Sequence, residues 1–302
     1  IDRVDWRTGM YKILRTGSSE SVIKQNSVRL KEGGQELEYL TFPAFEESGV
    51  VKHLITTRLG GVSEGELATM NLSFTRGDRE ENVSENFRRI ADVLGCTPED
   101  MVASHQTHTV NIRHVTAADR GKGIVKPRDY ENIDGLITKE KETALATFYA
   151  DCVPLLFLDP VHQAIGLAHS GWKGTVGRMG KHMVEAMEEA FGSKPSELLA
   201  AVGPSICQEC YEVGEDVAEK FWQMFGGKES CGSVVAQGKA EGKYQLDLWL
   251  ANRMILEEAG IPGDRISVTD VCTCHNSEYL FSHRASNGHR GNLGVFLMLA
   301  QR

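Results

Sequence analysis

The 302-residue chain carries 33 Lys and Arg against 42 Asp and Glu, a net charge of -9, with 41% hydrophobic and 25% charged residues. That profile fits a globular chain able to bury a full core as one large domain or two small ones, and its acidic balance argues against general nucleic-acid binding, which needs a concentrated basic surface. No run of about 18 apolar residues occurs, so no membrane span is expected; seven cysteines and no signal-peptide core at Ile1–Trp6 point to reduced thiols in a cytoplasmic protein.

Residues 1–35 are polar and mixed, with a turn at Gly33-Gly34, and read as an N-terminal extension, in part flexible or upstream of the natural start. Residues 36–302 read as a single catalytic domain. Leu37–Phe42 is a strand that Pro43 ends, and Val50–Arg58 is another, stopped by Leu59-Gly60-Gly61. Loop follows through Gly77-Asp78. From Glu80 to Leu94 the period changes: Val83, Phe87, Ile90, Ala91 and Leu94 fall at helical spacing, acids lead, and Gly95 stands at the C-terminal cap. Val110, Ile112 and His114 alternate as in a strand, Asp134-Gly135 turns into the strand Leu136–Thr138, and Thr143–Phe148 begins the next.

Two apolar runs then flank an Asp159-Pro160 turn, one opening at Cys152 and the other closing at His169. An antiparallel pair of strands joined by that turn brings its outer ends together, and so sulfur beside imidazole. Met179–Phe191 is an amphipathic helix with Met183, Ala186, Met187 and Ala190 on one face and Gly192 as its cap. Leu198–Val202 is a strand, Asp216–Phe225 a helix, Gly226–Gly242 an exposed polar insertion, Leu246–Ala259 a helix, Ile266–Val268 a strand and Asn292–Leu299 an apolar strand or helix. Strands and helices mix without a strict βαβ rhythm, which gives a mixed α/β (α+β) class: a single layered α/β sandwich domain with mixed sheets.

His105-x-x-His108 supplies a third element of chemistry beside Cys152 and His169. Two His three apart on a strand point to opposite faces. His108 shares parity with Val110 and Ile112, so it is the expected ligand and His105 a neighbouring pocket residue. Taken singly, a His on an apolar strand or a Cys in an apolar run is more commonly a packed core residue. Cys207-x-x-Cys210 and Cys272-x-Cys274-His275 have spacings suited to a structural zinc site, but the halves lie far apart and free thiols are the plainer reading.

Gln106-Thr107-His108, Asp134–Thr138, Ala150–Leu155, Ala168–Gly174 and Gly203–Ile206 together resemble the laccase-domain family, described as multicopper polyphenol oxidases or as purine nucleoside phosphorylases. Thr56–Ser63, Asn71-Leu72-Ser73, Cys272-Thr273 and Phe281–Arg284 continue the resemblance, which covers roughly residues 40–300. It implies a metal, commonly zinc, on His108, Cys152 and His169. Two His and one Cys leave the fourth position open, as catalytic zinc requires, and make Cys152 a thiolate ligand rather than a nucleophile.

The implied activity is phosphorolysis of adenosine, inosine and methylthioadenosine, with adenosine deamination on the side. Substrate contacts are expected from Arg58 for the phosphate, with Lys173, Arg284 and Asn71, and proton handling from Asp151; Asp78 is a further candidate for ribose hydroxyls. Cys210 is expected near the pocket rim. The partners are then a small nucleoside and phosphate. The Gly60-Gly61 and Gly171-x-x-Gly174 pairs are not a phosphate loop, because the Lys-Ser/Thr ending is missing. The alternatives are a copper-dependent polyphenol oxidase, a cell-wall precursor hydrolase, or zinc that only clamps the fold. The His₂Cys set is formally that of blue copper, but the chain has no His-x-His pairs from which to build a trinuclear copper centre.

Overall fold

The computed structural model describes residues 4–5, 9–17, 22–30 and 34–300; Ile1–Arg3, Trp6 and Gly33 of the expected turn lie outside the described residues. The first half contains β1 (Lys24–Arg29), β2 (Glu36–Thr41), α1 (Pro43–Glu47), β3 (Val51–Thr56), α2 (Glu80–Leu94), β4 (Met101–Ala103) and β5 (Ile112–His114). Next come β6 (Gly135–Thr138), β7 (Ala144–Tyr149), β8 (Val153–Asp159), β9 (Ala164–Ser170), α3 (Trp172–Val176) and α4 (Met179–Phe191). The chain continues with β10 (Leu199–Val202), β11 (Glu212–Gly214), α5 (Glu215–Met224), β12 (Val235–Gln237) and β13 (Lys243–Leu246). It ends with α6 (Leu248–Glu258), β14 (Ile266–Val268) and β15 (Leu293–Leu299).

Strands that are apolar on both faces set the architecture. One six-stranded sheet runs β1-β2-β3-β15-β7-β4 and the other β14-β10-β8-β9-β6-β5. Along β15, Val295 and Leu297 point into the space between the sheets, while Phe296 and Met298 point outward; along β8, Leu156 and Leu158 point inward, and Leu155 and Phe157 outward. The outward face of the first sheet is covered by Val83, Phe87, Ile90 and Leu94 of α2, and that of the second by Met179, Met183, Met187, Ala251 and Leu256 of α4 and α6. The result is a layered α/β sandwich with mixed sheets, as expected from the sequence. No helix among the described residues is long and apolar enough to cross a membrane.

The β8–β9 pairing is antiparallel, with Pro154 opposite His169 and Asp159 opposite Ala164. Asp159 shapes the connecting turn: its Oδ1 accepts the N–H groups of Val161 and His162 at 2.9 Å each. Two expectations are corrected. Lys24–Arg29, within the segment read as an extension, pairs along its whole length with β2 and forms a sheet edge. The 226–242 insertion is not simply exposed: Cys231 and Val234 are buried against Trp222 and the α5 side of the core, and β12 pairs with β13. Cys231, Val234 and the partly buried Val235 tie this polar segment back onto the domain, with the β12–β13 pairing beside them.

His53 on β3 is 6% exposed, sits between Phe42 and Phe45, and accepts the Phe42 N–H on Nε2 at 2.8 Å. Burial pushes its pKa down to about 4, against a weaker upward pull from Glu46. The unfolded imidazole takes its proton near 6.5, so the unfolded chain binds more protons between about 4 and 6.5, and stability is lost as pH falls through that window. The full difference is roughly 3 kcal/mol, of which about 2 kcal/mol is gone by pH 5. Urea midpoints at pH 7 and pH 5 should show that loss in the native chain and a correspondingly smaller one in His53→Gln, which keeps an acceptor for the Phe42 amide; equal losses in both would refute it.

Candidate metal centre

Cys152 lies where the chain changes sheets. β7 belongs to the first sheet and β8 to the second, and Ala150-Asp151-Cys152 makes the crossing, with Asp151 in the left-handed region at φ 86°. That conformation is uphill for a residue with a Cβ, though Asp tolerates it better than most. The Asp151 carboxylate is anchored on both oxygens, by the Thr273 hydroxyl at 2.6 Å and the Arg284 N–H at 2.6 Å. The crossing therefore aims the Cys152 sulfur at the end of the sandwich where β9 delivers His169.

His108 reaches the same point from a loop. Strand parity with Val110 and Ile112 does not place it, because residues 104–110 form no extended strand; β5 begins only at Ile112, and His108 itself has φ 65°. What holds this turn is Asp134, fully buried just ahead of β6. Its carboxylate accepts the N–H groups of Thr107, His108 and Thr109 and the Thr109 hydroxyl, all at 3.0 Å. The same carboxylate lies 2.8 Å from Nδ1 of His169, and the Asp134 carbonyl accepts the His169 N–H at 2.8 Å. With Nδ1–H directed at Asp134, Nε2 of His169 is the nitrogen left for the cluster. Sequence reasoning read Asp134 as a turn residue; its signal was an acid directly before an apolar strand that has no solvent-facing side.

The ligating atoms of His108, Cys152 and His169 lie within 4.8 Å of one another, with Cys152 Sγ 4.0 Å from His108 Nε2. The two imidazoles meet edge to face, 4.9 Å between ring centres. Gly171 makes this approach possible, since a Cβ there would stand 2.9 Å from the Cys152 sulfur and 3.2 Å from the His108 ring. Burial alone would raise the Cys152 thiol, but His169 and His108 outweigh it and bring the thiol down to about 6. Burial likewise opposes charge on His169, yet Cys152 and Asp134 carry it up to about 9. Asp134, despite its burial, is held at about 2 by His169 and the Thr109 and Thr107 amides. A thiolate and two imidazoles, one exposed and one buried, form a donor set that suits a borderline divalent metal and leaves one position toward the open side.

That open side is a cavity of about 290 Å³. His105, as expected, lines it, with Nδ1 accepting the Asn132 N–H at 3.0 Å. Its cations, however, are Arg76, Arg128 and Arg290. The expected substrate contacts lie elsewhere for identifiable reasons. Arg58 folds over the Phe281 ring and donates to the carbonyls of Ala68 and Ser277 at 3.0 and 2.8 Å. Arg284 is spent on the carbonyls of Cys210 and Glu212, Lys173 is exposed beside Trp172, and Asn71 is buried, bridging Ser73, Asp78 and Asn292. Asp78 receives Asn71 and Asn82 and does not line the cavity. Nor do Asp151, whose oxygens are both engaged, and Cys210, which stands away from the rim.

Arg290 is the cavity cation with a buried nitrogen left without a partner. Its Nη1 donates to Gly291 O and Asn292 Oδ1, but its Nε is buried without a partner. Burial and the nearby Arg76 pull its pKa down to about 10. An anion between these guanidiniums would relieve both effects.

Two substitutions test the centre without touching a ligand. Asp134→Asn removes the charge that orients the His169 imidazole and holds the turn carrying His108, and should weaken metal binding about 10–100-fold. Gly171→Ala should weaken it at least as much, by thrusting a methyl group into the sulfur. Chelator competition on the folded variants reads both, and native affinity in Asp134→Asn would show that the carboxylate does not govern the ligands.

The family described as multi-copper polyphenol oxidoreductase laccase matches residues 52–300. A Deinococcus radiodurans protein named purine nucleoside phosphorylase is 40% identical over 252 residues, 83% of this chain and 90% of its own. The Bacillus subtilis purine nucleoside phosphorylase YlmD is 37% identical over 246 residues, 80% of this chain and 86% of its own, and an adenosine deaminase, RL5, from an unknown prokaryote is 31% identical over 264 residues, 86% and 98%. Among solved structures, YlmD from Geobacillus stearothermophilus superimposes with a TM-score of 0.80 at 32% identity, covering 91% of this chain and all of that one. The chain therefore belongs to the multi-copper polyphenol oxidoreductase laccase family, among relatives named as purine nucleoside phosphorylases.

Proposed function

We propose that this chain is a zinc-dependent purine nucleoside phosphorylase with adenosine deaminase side activity. The observation that carries the reading is the meeting, in one cavity, of the His108, Cys152 and His169 cluster with Arg76 and the partnerless Nε of Arg290. A nucleoside and a phosphate ion need such a pair of neighbouring subsites. His108, Cys152 and His169 would hold the metal, which when bound supplies Lewis-acid polarisation of a substrate or water atom.

The protein groups divide the remaining work. Arg290 and Arg76, with Arg128 also lining the cavity, hold phosphate by charge-assisted hydrogen bonds. Phe74 and Phe148 offer apolar faces for a purine. In phosphorolysis a phosphate oxygen bonds to the ribose anomeric carbon, the bond from that carbon to the purine nitrogen breaks, and its electron pair leaves with the base. The departing base takes a proton, and His105, whose Nδ1 is already an acceptor, has Nε2–H to donate. In deamination, water replaces the purine amino group and ammonia leaves. A copper oxidase is less well supported: among the described residues the two clusters able to hold a metal contain only His108, His169 and His275 as imidazoles, too few for a trinuclear centre.

Purified protein incubated with adenosine and phosphate, with products separated by chromatography, should release adenine and ribose 1-phosphate, and inosine more slowly. Cys152→Ala should abolish both products. Arg290→Met should raise the KM for phosphate about tenfold, the loss of about 1.4 kcal/mol expected for one charged hydrogen bond, whereas Lys173→Ala should leave it unchanged. Adenine release that does not depend on phosphate would overturn the phosphorylase assignment.

A further inference from the structure

A second cluster of ligand-type side chains lies outside the cavity. Cys207 caps and Cys210 ends a single 3-10 turn, Gln208–Cys210, in the connection after β10, and Cys272 and His275 lie in the connection after β14. β10 and β14 are parallel neighbours, with Val202 opposite Val268, so both connections leave the same end of the sheet side by side. The pairing runs on past the strands as a bridge between Ser205 and Cys272, and Thr273 N–H donates to the Ser205 carbonyl at 3.1 Å. Two residue pairs far apart in the chain are thereby brought into register.

Each half is shaped as a knuckle. The Cys207 carbonyl accepts the N–H groups of Cys210 and Tyr211 at 3.1 and 3.0 Å, which curls Cys-x-x-Cys so that its two sulfurs converge. The Cys272 carbonyl accepts the Asn276 N–H at 3.2 Å and the Asn276 side-chain amide at 2.9 Å, which curls Cys-x-x-His likewise. One ligand atom from each of Cys207, Cys210, Cys272 and His275 lies within 4.8 Å of the other three, and Cys207 Sγ is 3.9 Å from Nδ1 of His275. Tetrahedral zinc with bonds of about 2.3 Å to sulfur and 2.0 Å to nitrogen spaces its ligand atoms about 3.5–3.8 Å apart, so only a slight contraction is needed.

The surroundings are those of a metal-bound thiolate site. The Cys207 N–H points at the Cys272 sulfur at 3.3 Å, a donor that favours the thiolate. Glu209 places a carboxylate oxygen 3.7 Å from Nε2 of His275, beyond hydrogen-bond distance but on the side of the ring turned away from the cluster. Cys207 and Cys272 are buried, and all seven cysteines of the chain are free thiols. Cys274, which shares the sequence cluster, is not one of the four.

We infer that Cys207, Cys210, Cys272 and His275 form a second metal site, a closed Cys₃His centre for structural zinc that staples the β10 connection to the β14 connection. With four protein ligands it has no position for substrate, in contrast to the three-ligand cluster at the cavity. Its mechanical reach extends to the cavity nonetheless. Thr273, between two of the ligands, donates to Asp151, Ile206 N–H donates to the Asp151 carbonyl at 3.0 Å, and Asp151 precedes Cys152 in the sheet crossing.

The test separates the two sites. The full chain carrying His108→Ala and Cys152→Ala, purified without chelator, should retain one equivalent of zinc per chain by elemental analysis. Reloaded with Co²⁺, that variant should show the intense thiolate-to-cobalt charge-transfer and tetrahedral visible bands of a three-sulfur site. Adding His275→Gln should weaken retention against a chromophoric chelator at least tenfold. A double variant that folds but holds no zinc, a disulfide among Cys207, Cys210 and Cys272 in mass spectra of the unreduced protein, or unchanged affinity after His275→Gln would each overturn the inference. None of these readouts depends on nucleoside cleavage, so the outcome is independent of the proposed activity.

Discussion

The buried carboxylate of Asp134 is the constraint from which the rest of the site follows. Placing a charge at 0% exposure costs several kcal/mol unless its lone pairs are filled. Here three backbone amides, a hydroxyl and an imidazole fill them. The amides belong to the turn that carries His108 and the imidazole is His169, so the bonds that make the burial tolerable also fix two of the three ligands. The remaining charge is balanced across the cluster: carboxylate, imidazolium and thiolate alternate from the interior to the cavity. A divalent cation there would take the place of the proton on His169 Nε2, beside the thiolate, while Nδ1–H stays on Asp134.

The third ligand depends on topology rather than on charge. A sandwich whose two sheets exchange a strand-to-strand connection must cross its own end, and Ala150-Asp151-Cys152 is that crossing. The left-handed Asp151 is held there by bonds to Thr273 and Arg284 from the C-terminal part of the chain. The sequence offers Asp151 as a carboxylate for proton handling. Its contacts in the fold are structural: one oxygen accepts the Thr273 hydroxyl and the other the Arg284 N–H, and Asp151 is absent from the cavity lining.

Much of the layered fold could be read from periodicity, and the reason is visible in particular residues. Glu80–Leu94 and Met179–Phe191 each bury one stripe, so the helical period reports the packing directly. Cys152 and His169 were legible because the β8–β9 hairpin is local and its register follows from the turn. His108 was identified by a parity argument that the left-handed turn does not obey; the residue belongs to the cluster because of Asp134, a contact spanning 26 residues. The cavity cations were illegible for the same kind of reason. Arg76, Arg128 and Arg290 sit on loops whose course is set by distant bonds such as Asn292 N–H to Asn71 Oδ1, and nothing periodic marks them. Arg58, at the end of a strand beside two glycines, looked better placed, yet the backbone carbonyls of nearby Ala68 and of distant Ser277 capture it first.

The two ligand clusters illustrate how one sandwich end can carry both an open and a closed site. Where two connections leave neighbouring parallel strands, as after β10 and β14, they run in the same direction and can wrap a common point from both sides, giving four protein ligands and no vacancy. Where a crossing, a hairpin end and a turn converge from three directions, as at Cys152, His169 and His108, three ligands meet and the fourth direction remains the mouth of a cavity. The number of candidate ligands is here a consequence of strand connectivity: four where two parallel connections meet, three where a crossing, a hairpin end and a turn converge beside the cavity. Hydrogen bonds from Thr273 and Ile206 to Asp151 link the two clusters.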